Sequence, residues 1–422
     1  MIRWRLGTRQ RRSVPGLLWD IGPELISAAS DNDPTNVGTA AAVGAQTGYQ
    51  LSWLALLVAP LLALVLTIGA HVGAVARDDL QSLTLKRYGR RVAAVLLVSV
   101  VVVNLVTITA DLQAGAAGIG LLAGVGSRWL VVPLGVAVAG LLLAGKYGQV
   151  VVVLRYLMLG FAAFGAAAIL AHPNWSRLLE GSLVPALSLR RDRVTGGLAL
   201  LGTTLTSYVY VWETIGRGAE EPPVGTAGGG GLARARVGAV AGAVFTALIL
   251  WFMLVASAAT LGQHHQTVGS VQDAAEALRP LAGSLAADLF AAGLLTSAVV
   301  ALPVLMATTA YVVGAHFDWR RGLSEGIGRA RAFYAILVAS IGLALAASLA
   351  GIPVVATLVA ASVIGGLGTP IGLVILVRLA RDPQVMGPRP ISRRLAIAGW
   401  AVAVIVGGFG LLAVLGTALG TF

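Results

Sequence analysis

The 422-residue chain is 57% hydrophobic and 11% charged, has no cysteine, and carries a formal net charge of +12. Soluble globular chains usually carry about 25% charged residues, so a soluble domain is excluded, and the missing thiols exclude disulfides and thiolate metal sites. In a soluble protein this basic excess would point to nucleic acid, but here the apolar runs reach about 20 residues, the length of a membrane-crossing helix, so the expected partner is the lipid bilayer and no nucleic acid is expected.

The opening stretch "MIRWRLGTRQRRSVPG" is basic but lacks the apolar region and cleavage site of a signal peptide. Eleven spans are then expected, near 17–46, 51–75, 92–123, 129–144, 149–171, 194–215, 236–261, 285–314, 332–350, 353–377 and 395–419. With a cytoplasmic N-terminus, all but six of the 30 Lys and Arg fall on the cytoplasmic side; the six are Arg128, Arg177, Arg190, Arg191, Arg193 and Arg279. Such a bias supports the orientation and the number of spans. The segment 172–193 reads as an external loop whose "HPNW" and "RRDR" are solvated or at the headgroups, and "VGTAGGGGLA" (224–233) reads as a flexible cytoplasmic linker.

Spans one and six are interrupted, by "DNDPTN" (31–36) and by "GTTLTS" (202–207), where Gly and β-branched Thr weaken the helix. Two interruptions five spans apart suggest inverted five-span repeats, about 17–171 and 194–377, plus an extra helix at about 395–419, with a site at the midplane. The expected class is an all-α polytopic membrane protein of leucine-transporter fold.

Pro34 has no amide hydrogen, so the carbonyl of Ser30 loses its helical partner. In lipid that carbonyl must face a cavity, an ion or other protein. The unwound backbone can aim it at one point with the Asp33 carboxylate and the Asn36 amide oxygen. Hard oxygen donors with one full charge suit a divalent cation. The bland alternative is a kinked helix whose polar groups satisfy one another, but ionisable groups inside a membrane usually mark a pathway. On a helix Asp31 would face away from Asp33, so it ligates, supports the site from behind or pairs with another helix.

"DPTN" (33–36) followed by "GAQTGYQLSW" (44–53) resembles the first-helix signature of the natural resistance-associated macrophage protein (NRAMP) family, divalent-metal transporters of the leucine-transporter fold. "IGPELISAASDNDP", "ADLQAG" (110–115) and "LGTTLTSYVYVWET" (201–214) follow in the order of that family. The departures carry information. Where the family's sixth helix has Met-Pro-His, Thr206, Ser207 and Tyr208 stand by register. A thioether favours Mn²⁺ and Fe²⁺ over Mg²⁺ and Ca²⁺, and Thr206 offers only a hydroxyl. Without that proline, freeing the Thr203 carbonyl depends on unwinding at Gly202. The family's histidines match Tyr208 and Glu213, and its span-three Asp–Glu pair is reduced to Asp111 with Ala114. This pattern is similar to the NRAMP-related magnesium transporter branch, which implies a wider pocket, a partly hydrated Mg²⁺ and no proton coupling.

The remaining polar groups have two readings each. Asp111 lies on the pathway or pairs with another helix. Glu213 attracts the entering cation or sits at a wet helix end. Gln46 reaches the ion in an occluded state or ends its span. His71 titrates or packs, and His264 with His265 form a bland surface pair in an external loop or a metal site.

Together these residues predict a secondary transporter rather than an enzyme, since no nucleophile–base set and no cofactor motif occurs. The metal, Mg²⁺ with Mn²⁺ next, is its substrate, so no cofactor is expected. Metal ligands are expected at Asp33, Asn36, Ser30, Thr206 and Thr203, with Asp31, Asp111, Tyr208, Glu213 and Gln46 on the pathway or behind the site. The alternatives are proton-coupled Mn²⁺/Fe²⁺ transport, transport of a small amino-acid-like solute, or sensing without transport.

Overall fold

The computed structural model describes residues 23–145, 147–185, 191–220, 230–264, 283–352 and 354–418, and no strand occurs among them. Nine helical stretches there are long and apolar enough to cross a membrane. One of them, Pro34–Ala76, contains the end of the first expected span and all of the second, and Arg128–Ala144 is a shorter apolar helix.

Span one is α1 (Pro23–Ser30) and α2 (Pro34–Thr47), and span two is α3 (Ser52–Ala76). Between α2 and α3 the chain turns at Gly48, whose φ of 60° lies where a glycine is at ease. Span three is α4 (Leu80–Ala123), which begins a dozen residues before the expected start. "LQSLTLKRYG" looks like a charged loop, yet Asp79 caps the helix through the amide of Ser82 and Leu80 and Leu83 are buried. Gly89, at φ 80° and ψ 176°, separates this leading segment from the span proper. Span four is α5 (Val131–Ala144), and span five is α6 (Tyr147–Leu157) and α7 (Ala162–Leu170), joined by a tighter turn at Met158–Phe161.

The expected external loop is instead partly helical. Asn174 of "HPNW" caps α8 (Trp175–Leu183) by accepting from the Arg177 amide, and Trp251 donates to Ser182 to hold the helix down. Residues 191–193 of "RRDR" open α9 (Arg191–Thr204), which α10 (Ser207–Ile215) continues as span six. The glycine linker lies mostly outside the described residues, although Gly230–Ala233 already belong to α11 (Gly230–Ala259). His264 ends a short helical turn (Leu261–His264), and its neighbour His265 lies outside the described residues. Spans eight to eleven are α12 (Ser284–His316), α13 (Arg331–Leu349), α14 (Val354–Arg381) and α15 (Arg393–Ala418).

Two packed groups emerge. α4, α5, α12 and α13 lie against one another, while α1, α2, α3, α9, α10 and α11 form a second set. Close approach needs small residues. At Gly44 of α2 an added Cβ would sit 2.3 Å from the carbonyl oxygen of Leu254 on α11. Outward, Val95, Val98 and Val102 of α4 are exposed as a lipid-facing stripe. His71 takes the bland reading: its Nε2 lies 2.7 Å from the Arg389 carbonyl oxygen, tying α3 to the segment before α15.

Candidate metal site between two broken helices

The first break spans residues 31–33. The amides of Asp31 and Asn32 bond back to the carbonyls of Ala28 and Ala29 in a tight turn, and Asp33 stands at φ −64°, ψ 161°, before Pro34 restarts the helix. The second break is Leu205–Thr206, with Thr206 extended at φ −70°, ψ 147°. This corrects the expectation that Gly202 unwinds, because Gly202 lies inside α9. Gly202 has no neighbour a Cβ would meet, so nothing there presses the helix open.

Each ligand expected in span one has a partner across the gap. Asp33 Oδ1 accepts the Asn36 amide at 2.8 Å, capping α2, and its Oδ2 accepts from the Tyr208 hydroxyl at 3.0 Å. The same hydroxyl lies 2.5 Å from the Ser30 carbonyl oxygen, the group that Pro34 deprives of a helical partner. One phenolic hydrogen therefore serves two oxygens. Asn36 donates to the Asp31 carbonyl at 2.7 Å. Its amide oxygen lies 3.1 Å from the Thr203 hydroxyl and 3.3 Å from that of Thr204. Each threonine also reaches a carbonyl one turn back, Ala199 and Leu200, so Asn36 Oδ1 shares both hydrogens and is only lightly held. Thr203 thus meets the site through its hydroxyl, not through the carbonyl expected of it.

Thr206 approaches Asp31 rather than Asp33. Its hydroxyl donates to Asp31 Oδ1 at 2.9 Å and makes no capping bond to α10. Residues 31–33 are not helical, so the helical periodicity that would turn Asp31 away from Asp33 does not apply. Asp111 on α4 accepts from Thr35 at 3.2 Å, and its other oxygen has no hydrogen-bond partner. Glu213 is fully buried, not at a wet helix end, and accepts from Ser27 of α1 at 2.8 Å. Gln46 is exposed at the far end of α2, about 15 Å along the helix from Asn36.

Several contributors had no signal in the sequence. Ser297 of α12 donates to the Asn32 carbonyl, and Thr246 of α11 reaches the Ala28 carbonyl at 2.5 Å. Single hydroxyls in apolar spans look alike until the helices are placed. Asn32 was legible within "DNDPTN", and both of its side-chain polar atoms are buried without a partner.

Asp31, Asn32, Asp33, Asn36 and Tyr208 are each at most 1% exposed, so the gap is closed from both sides in this conformation. Among the described residues no three of His, Asp and Glu form a metal cage. The residues that meet across the two breaks, Ser30, Asp31, Asp33, Asn36, Thr203, Thr206 and Tyr208, offer carboxylates and neutral oxygens and carry neither sulfur nor imidazole.

The family model described as natural resistance-associated macrophage protein-like matches residues 24–416. The chain belongs to the NRAMP family. Members of that family are transporters, not enzymes. The chain is 28% identical over 412 residues to the divalent metal cation transporter MntH of Deinococcus radiodurans, covering 95% of this chain and 90% of that one. Among solved structures it is similar to the manganese transporter of Eremococcus coleocola (TM-score 0.73, 20% identity, 94% of this chain and 86% of the other). It is also similar to Mhp1, a nucleobase-cation-symport-1 family transporter (TM-score 0.60, 15% identity, 92% and 90%). These likenesses show the fold, the leucine-transporter arrangement expected from the two interrupted spans.

Proposed function

We propose that this NRAMP member is a secondary transporter that carries a divalent metal cation into the cytoplasm by alternating access, with Mg²⁺ preferred, Mn²⁺ accepted and no tight proton coupling. The observation that carries the reading is the make-up of the two breaks. Asp33, the Ser30 carbonyl, Asn36 and the hydroxyls of Thr203 and Thr206 offer only hard oxygens. Mg²⁺ dehydrates reluctantly and takes one or two carboxylates together with waters. With Thr206 in place of the family's methionine, the donor that favours Mn²⁺ and Fe²⁺ is lost.

The movement follows from the packing. The ligands sit on α1, α2 and α9, α10, and we propose that these helices rock against α4, α5, α12 and α13, which pack on one another and also touch α1, α2 and α10. We place the repeats at about 17–171 and 194–377 with the extra helix at about 395–419. The chain would lie in the plasma membrane with its N-terminus in the cytoplasm, as the basic residues imply.

A second reading is proton-coupled Mn²⁺ transport; its metal, though not its coupling, is favoured by the similarity to a divalent metal cation transporter of Deinococcus radiodurans and a manganese transporter of Eremococcus coleocola. Uptake of Mg²⁺, Mn²⁺ and Ca²⁺ into reconstituted vesicles, with internal pH recorded, separates the two. Mg²⁺ uptake at constant pH is expected; Mn²⁺ uptake with acidification and no Mg²⁺ uptake would reject the first reading.

A further inference from the structure

We propose that Asp31 is a second carboxylate ligand of the transported ion, so that the site holds its cargo between two acids rather than one. This inference rests on the metal-transport reading. Asp31 is fully buried at the first break. Thr206 of the second break holds its Oδ1 at 2.9 Å, so the side chain faces span six. Its Oδ2 is buried with no hydrogen-bond partner. Among the described residues no Lys, Arg or His pairs with Asp31, Asp33 or Asp111.

A buried carboxylate oxygen without a partner is costly, and an ionised carboxylate in a dry site needs a positive charge beside it. The same turn of span six holds both acids, Asp31 through Thr206 and Asp33 through Tyr208. Asn36 ties in the Asp31 backbone through its carbonyl. A divalent cation between the two carboxylates is neutralised, while its remaining positions go to Asn36, the Ser30 carbonyl and water.

Titration calorimetry of the purified full-length chain with Mn²⁺ tests the proposal in Asp31→Asn, Asp31→Glu and Asp33→Asn. Asparagine at 31 still accepts from Thr206, so a merely structural role would leave affinity unchanged. Loss of a direct ligand weakens Mn²⁺ binding in D31N by more than the roughly 10–100-fold that losing an outer-shell partner costs, while D31E recovers most of it. D31N with wild-type affinity beside an inactive D33N overturns the inference and leaves the metal reading standing. A wild-type chain that binds and transports neither Mn²⁺ nor Mg²⁺ overturns both. If D31N does not fold, the anomalous signal of Mn²⁺ in crystals of the wild-type chain decides. Asp31 in direct contact with the ion supports the proposal, and Asp31 kept apart from it overturns it.

Discussion

The Tyr208 hydroxyl lies 3.0 Å from Asp33 Oδ2 and 2.5 Å from the carbonyl oxygen of Ser30, so it occupies the two oxygens a cation at this break would take. Tyr208 therefore acts as a stand-in that must yield or share when the ion enters. In Tyr208→Phe the hydroxyl is gone and a buried carbonyl is left bare, a cost of about 1–3 kcal/mol. The metal-free protein should melt at lower temperature, and added Mn²⁺ should stabilise it by more than it stabilises the wild type. Thermal unfolding in detergent with and without Mn²⁺ checks this; an equal metal-induced shift in both proteins would show that the hydroxyl and the ion do not compete.

Asp33→Ala removes the carboxylate that also caps α2. Uptake of Mg²⁺ and Mn²⁺ into vesicles should fall to background. Loss of the cap by itself costs about 1 kcal/mol, so the variant should still fold. Undiminished flux in this variant would remove the basis of the metal site.

Thr206→Met restores a soft donor where the structure places a hydroxyl against Asp31. The ratio of Mn²⁺ to Mg²⁺ uptake in competition should rise several-fold, roughly the tenfold that 1.4 kcal/mol supplies at most. An unchanged ratio would put this side chain outside the ligand set.

The pair Arg321–Asp79, 2.9 Å apart, joins the start of α4 to the segment after α12, and the same guanidinium reaches Ser82 at 2.6 Å. Asp79 is 2% exposed, so removing its partner leaves a nearly buried charge. Arg321→Ala should destabilise the protein by about 1–3 kcal/mol, read as an earlier denaturation midpoint. A change below a few tenths of a kcal/mol would show that this link bears no weight.

Gly44→Ala forces a methyl to within 2.3 Å of the Leu254 backbone oxygen. The neighbour is backbone, not a flexible side chain, so α2 and α11 must part. A loss of about 1–3 kcal/mol is expected, measurable by thermal unfolding, and a neutral result would mean that the two helices separate freely.

The sequence by itself determined the all-helical membrane class and the break at residues 31–33, because hydrophobic runs and Pro34 act locally on the backbone, whereas the second break falls at Leu205–Thr206 and not at Gly202. It also supplied the chemistry of the first break, since Asp33, Pro34 and Asn36 lie within four consecutive residues. Tertiary structure alone decided which oxygens face one another. Periodicity lapses where a helix unwinds, so the directions of Asp31 and Thr203 were invisible until span six was placed beside span one. The partners of Ser30, Asn32 and Glu213, which are Tyr208, Ser297 and Ser27, lie 178, 265 and 186 residues away along the chain. Such pairings arise only when packing brings distant helices together, because a polar group sealed from water must bond to whatever the fold sets against it.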